Sequence, residues 1–399
     1  MDKNKENVPK IRFPGFTSPW EQRKVKDIFK VTRGYVLAAT ETTDKKTDEM
    51  PYPVYSSQTK DNGLMGYYKD FLYENAITWT TDGANAGTVN YREGKFYCTN
   101  VCGVLLSDDG YANKMVSEAL NNISWKHVSK VGNPKLMNNV MSEIVVSLPK
   151  TIEEQNIISD LLNRLDNLIN LHQRKLNHLQ DKKKSLLQKM FPKNGEDCPE
   201  LRFPGFTDPW EQRKLGEISD SFEYGLNAAA TEFDGVNKYI RITDIDDESR
   251  RFLETDLTSP NVDLSNADNY KLKSGDILFT RTGASVGKSY IYKEYDGLVY
   301  YAGFLIRARI KPEYDAEFVF QSTLTNKYNK YIRITSQRSG QPGVNAQEYA
   351  EFKLRVPEYD EQSKIGLFLK QLDNLITLHQ RKLNHLQEQK KALLQQMFV

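Results

Sequence analysis

The amino-acid sequence predicts an α+β protein that is internally duplicated, with two globular domains and a pair of long coiled-coil helices. Three observations predict this architecture. A long helical segment is written twice, a short aromatic segment precedes each globular region, and the two globular regions have diverged while the repeated segments have not. The order strap, globular region, helix therefore occurs twice, which indicates duplication of one unit.

The helical repeat comprises Leu165–Phe191 and Leu372–Phe398, which are identical at 22 of 27 positions. In each copy eight of the ten a and d heptad positions are apolar, a pattern typical of a coiled-coil seam. The 33 residues of Ile158–Met190 would form a rod of about 50 Å. We expect the two copies to pair with each other. The alternative is that each copy packs on its own domain or on a second protein.

The seam positions of the first copy have counterparts 207 residues later, and the polar exceptions fall at the same places in both copies. Polar residues inside a seam usually fix its register at a cost in stability. The a and d positions are Ile158, Leu162, Leu165, Ile169, His172, Leu176, Leu179, Lys183, Leu186 and Met190, and then Ile365, Leu369, Leu372, Ile376, His379, Leu383, Leu386, Lys390, Leu393 and Met397.

The second repeat is a short segment, here called the strap, that comprises Ile11–Lys24 and Leu201–Lys214 and is identical at 12 of 14 positions. Phe-Pro-Gly-Phe followed by Pro-Trp indicates turns anchored by aromatic side chains. We expect each strap to dock under a domain. The predicted boundaries are 1–24 for the N-terminal segment and strap, 25–150 for the first domain, 151–191 for the central helix, 192–214 for the linker and second strap, 215–357 for the second domain, and 358–399 for the C-terminal helix.

Within the globular regions, hydrophobic and β-branched runs predict strands, and apolar residues at helical spacing predict helices. The predicted strands are Ala76–Thr80, Lys95–Leu106, Asp276–Thr280 and Leu298–Ile310, and the predicted helices are Lys114–Ser124 and Ala316–Tyr331.

Composition narrows the function classes. The net charge is only +2, which argues against an indiscriminate nucleic-acid binder. The odd number of cysteines, three, favours a reducing compartment. Cys98 and Cys102 have no second metal-binding pair, so we interpret them as buried thiols. The N-terminus lacks an apolar signal core and no apolar run could span a membrane, so we expect a cytoplasmic protein.

A strand runs into a Gly-x3-Gly loop of small polar residues in both globular regions, at Gly83–Gly87 and Gly283–Gly287. The second loop continues into Lys288-Ser289 and is one residue shorter than a nucleotide-binding P-loop, and the first has Thr88 in place of the lysine. Such loops also suit DNA phosphates or base edges.

Polar residues in and around these loops are the candidate DNA-binding residues. Arginine pairs with guanine, glutamine and asparagine pair with adenine, and Lys288 and Ser285 would suit phosphates. Arg241 and Thr243 are predicted to share one face of a short strand, Tyr239–Asp244. For each residue alone the simpler alternative is a solvated surface group. The candidates are Arg241, Thr243, Arg281, Thr282, Gly283, Ser285, Lys288, Arg338, Ser339 and Gln341 in the second half, and Arg33, Gln58, Lys60, Thr81, Asp82, Asn85, Thr88 and Lys130 in the first.

The strap Leu201–Lys214 with its continuation Leu-Gly-Glu-Ile, the Tyr-Ile-Arg-Ile-Thr-Asp segment and the duplicated Leu-Asn-His-Leu-Gln helices together resemble the specificity subunit of type I restriction–modification enzymes. This resemblance covers essentially the whole chain. It implies two target-recognition domains, each reading one half of a bipartite, asymmetric DNA site, and two helices that pair antiparallel and hold the domains apart.

The resemblance also implies a subunit without catalytic or metal residues of its own. Its expected partners are double-stranded DNA, two modification subunits that methylate adenine with S-adenosylmethionine, and two restriction subunits that use ATP and Mg²⁺; no cofactor and no membrane is expected to bind this chain. Two alternatives remain from the residues alone. One is a coiled-coil adaptor that binds only proteins, and the other is a nucleotide-dependent enzyme built on Gly283–Ser289.

Overall fold

The computed structural model describes residues 8–57, 60–337 and 340–398, which fold into two compact units. Unit 1 comprises residues 8–172 and 382–398, and unit 2 comprises residues 173–381, both counted over the described residues. Each unit contains one globular domain and one half of each long helix. The mixture of helices and sheets, arranged twice along the chain, confirms the predicted α+β class and the duplication.

The helices are α1 Val25–Ile28, α2 Lys114–Ser124, α3 Asn138–Glu143, α4 Ile152–Lys189, α5 Ala316–Ser322, α6 Asn326–Thr335, α7 Ala346–Ala350 and α8 Tyr359–Met397. Short 3-10 turns occur at Ala39–Glu41, Lys60–Gly63, Trp125–His127, Ile242–Asp244, Asp268–Tyr270, Gly283–Ser285 and Glu294–Asp296.

The strands are β1 Glu21–Lys24, β2 Lys30–Arg33, β3 Tyr52–Tyr55, β4 Leu64–Tyr68, β5 Tyr73–Thr80, β6 Val89–Cys98, β7 Cys102–Leu106, β8 Val145–Leu148, β9 Glu211–Lys214, β10 Ser219–Tyr224, β11 Ala229–Glu232, β12 Lys238–Ile240, β13 Thr258–Asn261, β14 Ile277–Thr280, β15 Ser289–Ile291, β16 Val299–Tyr301, β17 Leu305–Ile310 and β18 Lys353–Val356.

The main sheet of unit 1 has the strand order β2-β7-β5-β6-β3-β4, and the main sheet of unit 2 has the order β10-β17-β14-β15. In unit 2 two further pairs, β11-β13 and β12-β16, extend the domain. Most pairings are antiparallel, whereas β3–β6 and β12–β16 are parallel. The buried strands β5 and β14 end at equivalent positions, Thr80 and Thr280, and the glycine loops begin there.

The seam residues of α4 and α8 behave as their heptad pattern predicts. Every a and d position of both helices is buried or half-buried. Within unit 1, Met397 and Phe398 join the same apolar core as Ile158 and Leu162. Within unit 2, Met190 and Phe191 join the core of Ile365 and Leu369. The end of each helix therefore packs beside the beginning of the other, so the helices pair antiparallel within each unit, as expected.

The two polar lysines of the seam are paired across it. Lys183 Nζ lies 2.6 Å from Asp373 Oδ1 in unit 2. Lys390 Nζ lies 2.7 Å from Asp166 Oδ1 in unit 1. Because these lysines and aspartates are equivalent residues of the repeat, one ion pair is formed twice, and it ties the register of the seam in both units.

Each strap docks as predicted, with its tryptophan buried: Trp20 is 2% and Trp210 is 1% exposed. The Arg12 guanidinium donates to both Glu154 oxygens at 2.7 and 2.8 Å, and Arg202 does the same to Glu361 at equal distances. These glutamates lie in the first turn of α4 and α8, where negative charge also interacts favourably with the helix dipole. The straps thus fasten to the helix beginnings.

Three of the predicted elements are each divided in two in the structure. The predicted strand Lys95–Leu106 is two strands, β6 and β7, because the chain turns where Cys102 N–H donates to Thr99 O at 3.0 Å. The predicted strand Leu298–Ile310 is β16 and β17, separated by a turn closed by Leu305 N–H to Ala302 O at 2.8 Å.

The predicted helix Ala316–Tyr331 is also two elements, α5 and α6. Thr323 and Thr325 donate their hydroxyls to the carbonyls of Phe320 and Ser322, and the Thr325 side chain caps α6 by accepting from Tyr328 N–H. Hydroxyl side chains that bond the backbone in this way compete with helix continuation. Helix α2, by contrast, has the predicted bounds, and Asn113 caps it by accepting from Val116 N–H at 3.0 Å.

Candidate nucleic-acid interface

The glycine loops that follow β5 and β14 have the same backbone hydrogen bonds in both units. In unit 1 these bonds, donor first, are Thr80 to Thr88, Gly83 to Pro134, Ala86 to Gly83, Gly87 to Thr80, Thr88 to Asn85 and Leu136 to Thr81, all between 2.9 and 3.0 Å. In unit 2 they are Thr280 to Lys288, Gly283 to Pro342, Val286 to Gly283, Gly287 to Thr280, Lys288 to Ser285 and Val344 to Arg281, all between 2.9 and 3.1 Å. The two Gly-x3-Gly segments therefore form the same loop structure in both units.

Glycine is required at the second loop position for two reasons. Gly87 and Gly287 have φ angles of 89° and 83°, in the left-handed region. A Cβ at Gly87 would lie 2.8 Å from Val128, and one at Gly287 would lie 2.4 Å from Ile332. The loop thus approaches a neighbouring helical or turn segment closely, and this contact holds it against the domain.

Unit 2 brings together Arg281, Thr282, Gly283 and Gln341. The first three follow β14, and Gln341 lies in the facing segment, whose Pro342 and Gly343 pair with Gly283 and Thr282. The Arg281 guanidinium lies 5.1 Å from the ring centre of Tyr224 and 6.0 Å from that of Phe304. Both rings are exposed, at 44% and 58%. A guanidinium between exposed aromatic rings is a suitable surface for nucleic acid.

Arg241 and Thr243 do not share the face of a strand. Strand β12 ends at Ile240, and Ile242–Asp244 forms a 3-10 turn, so this part of the prediction is wrong. The Arg241 guanidinium donates twice to the Asp244 carboxylate, both at 2.8 Å, and this hydrogen bonding raises the pKa of Arg241. The Thr243 hydroxyl donates to the same carboxylate at 2.9 Å. Local competition from Asp244 ended the strand.

Lys288 and Ser285 have different environments. Lys288 is only 7% exposed, and its ammonium donates to Ile245 O at 2.9 Å and lies 2.5 Å from Asp247 Oδ1. Ser285 is half-buried in the loop's 3-10 turn. Contact of either residue with DNA stays a prediction, and for Lys288 it would have to compete with two existing bonds.

Unit 1 places Thr81, Asp82, Asn85 and Thr88 on its loop. The Thr81 hydroxyl, which is buried, lies within bonding distance of Asp82 Oδ2 (2.8 Å) and Val101 O (3.0 Å). Asp82 is half-buried and pairs with Lys135 at 3.5 Å. Asn85 is half-buried, whereas Thr88 is exposed. Unit 1 therefore presents an acid and small polar groups where unit 2 presents arginine.

The other candidates are scattered or lie outside the described residues. Arg33 at the end of β2 and Lys130 after the Trp125–His127 turn are exposed. Lys60 is described only in its backbone, within a 3-10 turn. Gln58, Arg338 and Ser339 lie outside the described residues. DNA contact by all of these stays a prediction.

Sequence reasoning missed three side chains beside the loops: Trp125 in unit 1, and Arg250 and Arg333 in unit 2. Trp125 is 58% exposed, and its backbone lies 3.5 Å from the position of a Gly87 Cβ. Arg250 and Arg333 line a cleft that also contains Gly287. A signal existed only for Trp125, a large aromatic at the polar end of an amphipathic helix; Arg250 and Arg333 sit in ordinary charged sequence.

Two features of the sequence, the Cys98–Cys102 pair and the Gly283–Ser289 loop, could have indicated a metal or nucleotide site. Cys98 and Cys102 are buried thiols, as expected, and burial raises the pKa of both, that of Cys102 to about 11. No cluster of three or more metal-ligating side chains occurs among residues 8–57, 60–337 and 340–398. After Gly283–Ser285 the chain enters β15 rather than a long helix, so the loop lacks the strand–loop–helix context of a P-loop. Within the described part of the chain, neither α4, α8 nor any other helix offers a stretch apolar enough to cross a bilayer.

Comparison with known proteins gives matches over both halves. The family model described as type I restriction modification DNA specificity domain matches residues 17–181 and 207–388. A putative type I specificity subunit of Mycoplasma pneumoniae is 36% identical over 170 residues, which are 42% of this chain and 68% of that protein. For two further relatives from M. pneumoniae, the aligned region spans 54% and 49% of the relative's length.

Matches over nearly the full length also occur. The specificity subunit of the type I restriction enzyme MjaVIII of Methanocaldococcus jannaschii is 24% identical over 413 residues, covering 98% of this chain and 94% of that protein. The crystal structure of the S subunit of a type I restriction–modification system from M. genitalium has a TM-score of 0.69 and 16% identity, covering 98% of this chain and 99% of that one. At that identity the structural likeness establishes the fold.

Proposed function

This chain belongs to the family of type I restriction–modification DNA specificity subunits, and we propose that each of its globular domains reads one half of a bipartite, asymmetric DNA site. The observation that carries the proposal is the glycine loop built twice with equivalent hydrogen bonds but different side chains. The equivalent positions carry different side chains, Arg281 and Thr282 in unit 2 against Thr81 and Asp82 in unit 1. Different side chains on one framework give different half-sites, and hence an asymmetric site.

The base-reading surface of unit 2 would centre on Arg281, with Gln341 beside it. Arginine binds guanine through two parallel hydrogen bonds, and glutamine does the same with adenine. Tyr224 and Phe304 would hold the Arg281 guanidinium in place before DNA arrives, because stacking restricts its rotamers. In unit 1 the acidic Asp82 would accept a hydrogen bond from a cytosine amino group.

The repeated helices would provide two equivalent docking surfaces for modification subunits. Leu168 and Leu171 in unit 1 are 44% and 46% exposed, and their repeat equivalents Leu375 and Leu378 in unit 2 are also 44% and 46% exposed. Neither pair belongs to the seam. Residues three apart lie on one helix face, so each pair forms a small apolar patch, and two like patches suit two copies of one partner.

In this proposal the chain itself is not catalytic. S-adenosylmethionine would bind to the modification subunits, and ATP and Mg²⁺ to restriction subunits. Cys98 and Cys102 are buried and Lys288 is ion-paired, which agrees with this assignment, because none of the three offers a free nucleophile or a phosphate-binding lysine.

The decisive experiment is co-expression with the modification subunits of the same system, followed by mapping of methylated adenines across the host genome. We expect one motif with two specific parts separated by a fixed gap. Arg281→Ala should lower or relax methylation through one half-site only, since a bidentate contact contributes about 1–3 kcal/mol of discrimination. A methylome without a bipartite motif would contradict the proposal.

The proposed role of the helices in setting the gap has its own test. Insertion of one heptad after His172 and one after His379 keeps the seam in phase and lengthens the paired helices by about 10 Å. We expect the gap in the methylated motif to grow by roughly three base pairs, at 3.4 Å each. An active variant with an unchanged gap would show that the helices do not set it.

A further inference from the structure

Arg250 in unit 2 is a half-buried arginine whose guanidinium has no hydrogen-bond or ion-pair partner in the described part of the chain. Burial lowers the pKa of Arg250, and the nearby Tyr328, Asp247 and Asp246 side chains offset this lowering only in part. Charged side chains are rarely buried without a partner, because desolvation of the charge is unfavourable. An unpaired, half-buried guanidinium therefore indicates a position prepared for an anionic ligand.

The backbone at Arg250 is held in an unusual conformation. Its φ is +58°, in the left-handed region that non-glycine residues seldom adopt. The turn is closed by hydrogen bonds from Asp246 N–H to Arg251 O (2.9 Å) and from Arg250 N–H to Asp246 O (3.2 Å). The bridge between Ile245 and Phe252 supports the same turn. Strain of this kind persists where the surrounding structure imposes it, and it fixes the direction of the side chain.

Arg250 lies in a cleft of about 340 Å³ beside the Gly283–Gly287 loop. Ser285 and Lys288 line it on the loop side, and Asn329 and Arg333 on the α6 side. Arg333 is exposed and, among the described residues, also has no ion-pair partner. Three basic residues (Arg250, Lys288, Arg333) against one acid (Asp247) give the lining a net charge of +2.

Asp247 and Asp246 stabilise the Arg250 charge in part, but neither forms an ion pair with Arg250. The Asp247 carboxylate lies 2.5 Å from Lys288 Nζ, so the two charges pair with each other. Two arginines are then left for a ligand. None of the described residues that line the cleft is aromatic, so it lacks the stacking surface that a splayed base needs.

We propose that this cleft is a phosphate subsite, in which Arg250 and Arg333 hold one backbone phosphate of DNA beside the base-reading Arg281. The subsite deepens the proposed function and rests on it. A guanidinium fork matches two phosphate oxygens, and the Ser285 hydroxyl and the Asn329 amide are available to bond the same group. Because the loop joins the cleft to Arg281, a phosphate held here would set the register of the bases presented to unit 2.

The test is the salt dependence of DNA binding by the full-length chain in complex with its modification subunits. Two duplexes serve as probes, one with the motif obtained from the methylome and one with the same bases scrambled. For Arg250→Asn, which removes the charge but tolerates a positive φ, we expect affinity for both duplexes to fall by about tenfold. The slope of log K against log salt should become shallower by about 0.9.

Three variants sharpen the result. Arg250→Lys keeps the charge, so its slope should stay near the wild-type value while affinity falls by a few-fold with the loss of the fork. Arg333→Gln, at an exposed position, should also reduce the slope. Arg213→Gln removes an exposed arginine of the strap that pairs with Glu211, and it should leave slope and affinity unchanged.

The outcomes separate the subsite from the proposed function. If the wild type binds both duplexes equally, the proposed function fails, whereas a shallower slope in Arg250→Asn still supports the subsite. If the wild type prefers the motif but Arg250→Asn and Arg333→Gln leave the slope unchanged, the subsite is wrong. If Arg250→Asn lost affinity for the motif duplex alone, Arg250 would contact bases and not a phosphate, which contradicts the subsite. If Arg213→Gln changed the slope equally, the effect would come from the net charge of the protein, which also contradicts the subsite.

Discussion

The two units use the same helical ion pair but attach their globular domains to it through different charges. In unit 1, Lys114 and Glu118 of α2 close a ring with Asp166 and Lys390, with N–O distances of 2.7–2.9 Å on all four sides. In unit 2, Asp373 binds Lys183 at 2.6 Å and accepts from Gln321 at 2.8 Å. The side chains of the helices are conserved between the units, and those of the domains are not.

In unit 2 the seven-residue helix α5 provides Glu317 and Gln321 at the contact with the seam aspartate. Gln321 also donates to Glu317 at 3.1 Å, and Glu317 pairs with Lys293. The domain contributes a cation to the aspartate in unit 1 and a neutral amide in unit 2. The two helices can therefore keep the same side chains while each domain contacts them through different residues. Only a few charged or polar side chains of each domain form this contact with the seam aspartate.

The largest expected effect on stability comes from the helical seam, which the two units share. Leu162 and Leu369 are equivalent seam residues, both 0% exposed. Leu162→Ala and Leu369→Ala should each lower the free energy of unfolding of the local unit by about 3 kcal/mol, through lost burial and a cavity. Native-state hydrogen exchange, followed on peptides of each unit, measures the two separately. Similar losses are expected; a cost confined to one unit would contradict structural equivalence of the seam.

The next largest effect concerns the contact between domain and helices, which differs between the two units. Lys114→Glu places a third carboxylate beside Glu118 and Asp166 and leaves Lys390 as the ring's only cation. Because these side chains are partly buried, we expect a loss of about 2 kcal/mol in unit 1. Adding Glu118→Gln, which replaces one of the three carboxylates with a neutral amide, should recover part of it, and a double-mutant cycle gives the coupling. Additive single effects would show that the ring does not act as one network.

A smaller effect distinguishes two glycines of the same loop. Gly83 has φ +90° but nothing within 4 Å of the position that a Cβ would take, so Gly83→Ala should cost only about 1 kcal/mol of backbone strain. Gly87→Ala adds a contact of 2.8 Å with Val128 and should cost more. Gly283→Ala and Gly287→Ala should follow the same order in unit 2. Thermal unfolding of the four variants checks the ranking, and a reversed order in either unit would contradict the shared loop geometry.

The smallest effect is the acid response of unit 1. Burial would raise the pKa of Asp166, but hydrogen bonds from Lys114 and Lys390 outweigh it and hold the pKa below its ordinary 3.8. A carboxyl with a lowered folded pKa contributes stability above its unfolded pKa and loses it as pH falls through the folded value. As pH falls from about 5 to about 3, the protection factors of the α2 amides, which are corrected for the intrinsic pH dependence of exchange, should therefore fall. Asp166→Asn should weaken this dependence. An unchanged pH dependence in Asp166→Asn would exclude the ring as its source.

Periodicity predicted the helices well because a heptad seam depends on residues close together in the sequence. The strap was also predictable, since Pro-Gly turns and a large buried Trp leave a local signal. Residue patterns could not divide Lys95–Leu106 or Leu298–Ile310 into two strands each. The turns at Thr99 and Ala302 depend on which distant strands the two flanking segments pair with, and the local sequence does not show this pairing. Between α5 and α6, the sequence contains Thr323 and Thr325, but it does not show that their hydroxyls form hydrogen bonds with the backbone and so end one helix and begin the next.

The sequence predicted the location of the candidate site better than it predicted which side chains are available there. The Gly-x3-Gly loops were found from the sequence, and the structure gave them one geometry. Arg241 and Lys288 look like free cations in the sequence, yet each is bound to an acid, Asp244 or Asp247. Arg250 looks ordinary in the sequence, yet among the described residues it is half-buried without a partner. Whether a charge is paired depends on residues brought near by folding, which the sequence pattern does not record.

The sequence by itself determined the duplication, the helical seam and the contrast between constant helices and diverged domains. These follow from identities and from a 3.5-residue period, which need no knowledge of distant contacts. The tertiary structure alone decided how the charges are distributed: which lysines close the seam, how α2 and α5 dock on it, and which arginines stay available beside the glycine loop. Electrostatic pairing acts over a few ångströms between residues as far apart in sequence as Glu118 and Lys390, so only the folded chain fixes it.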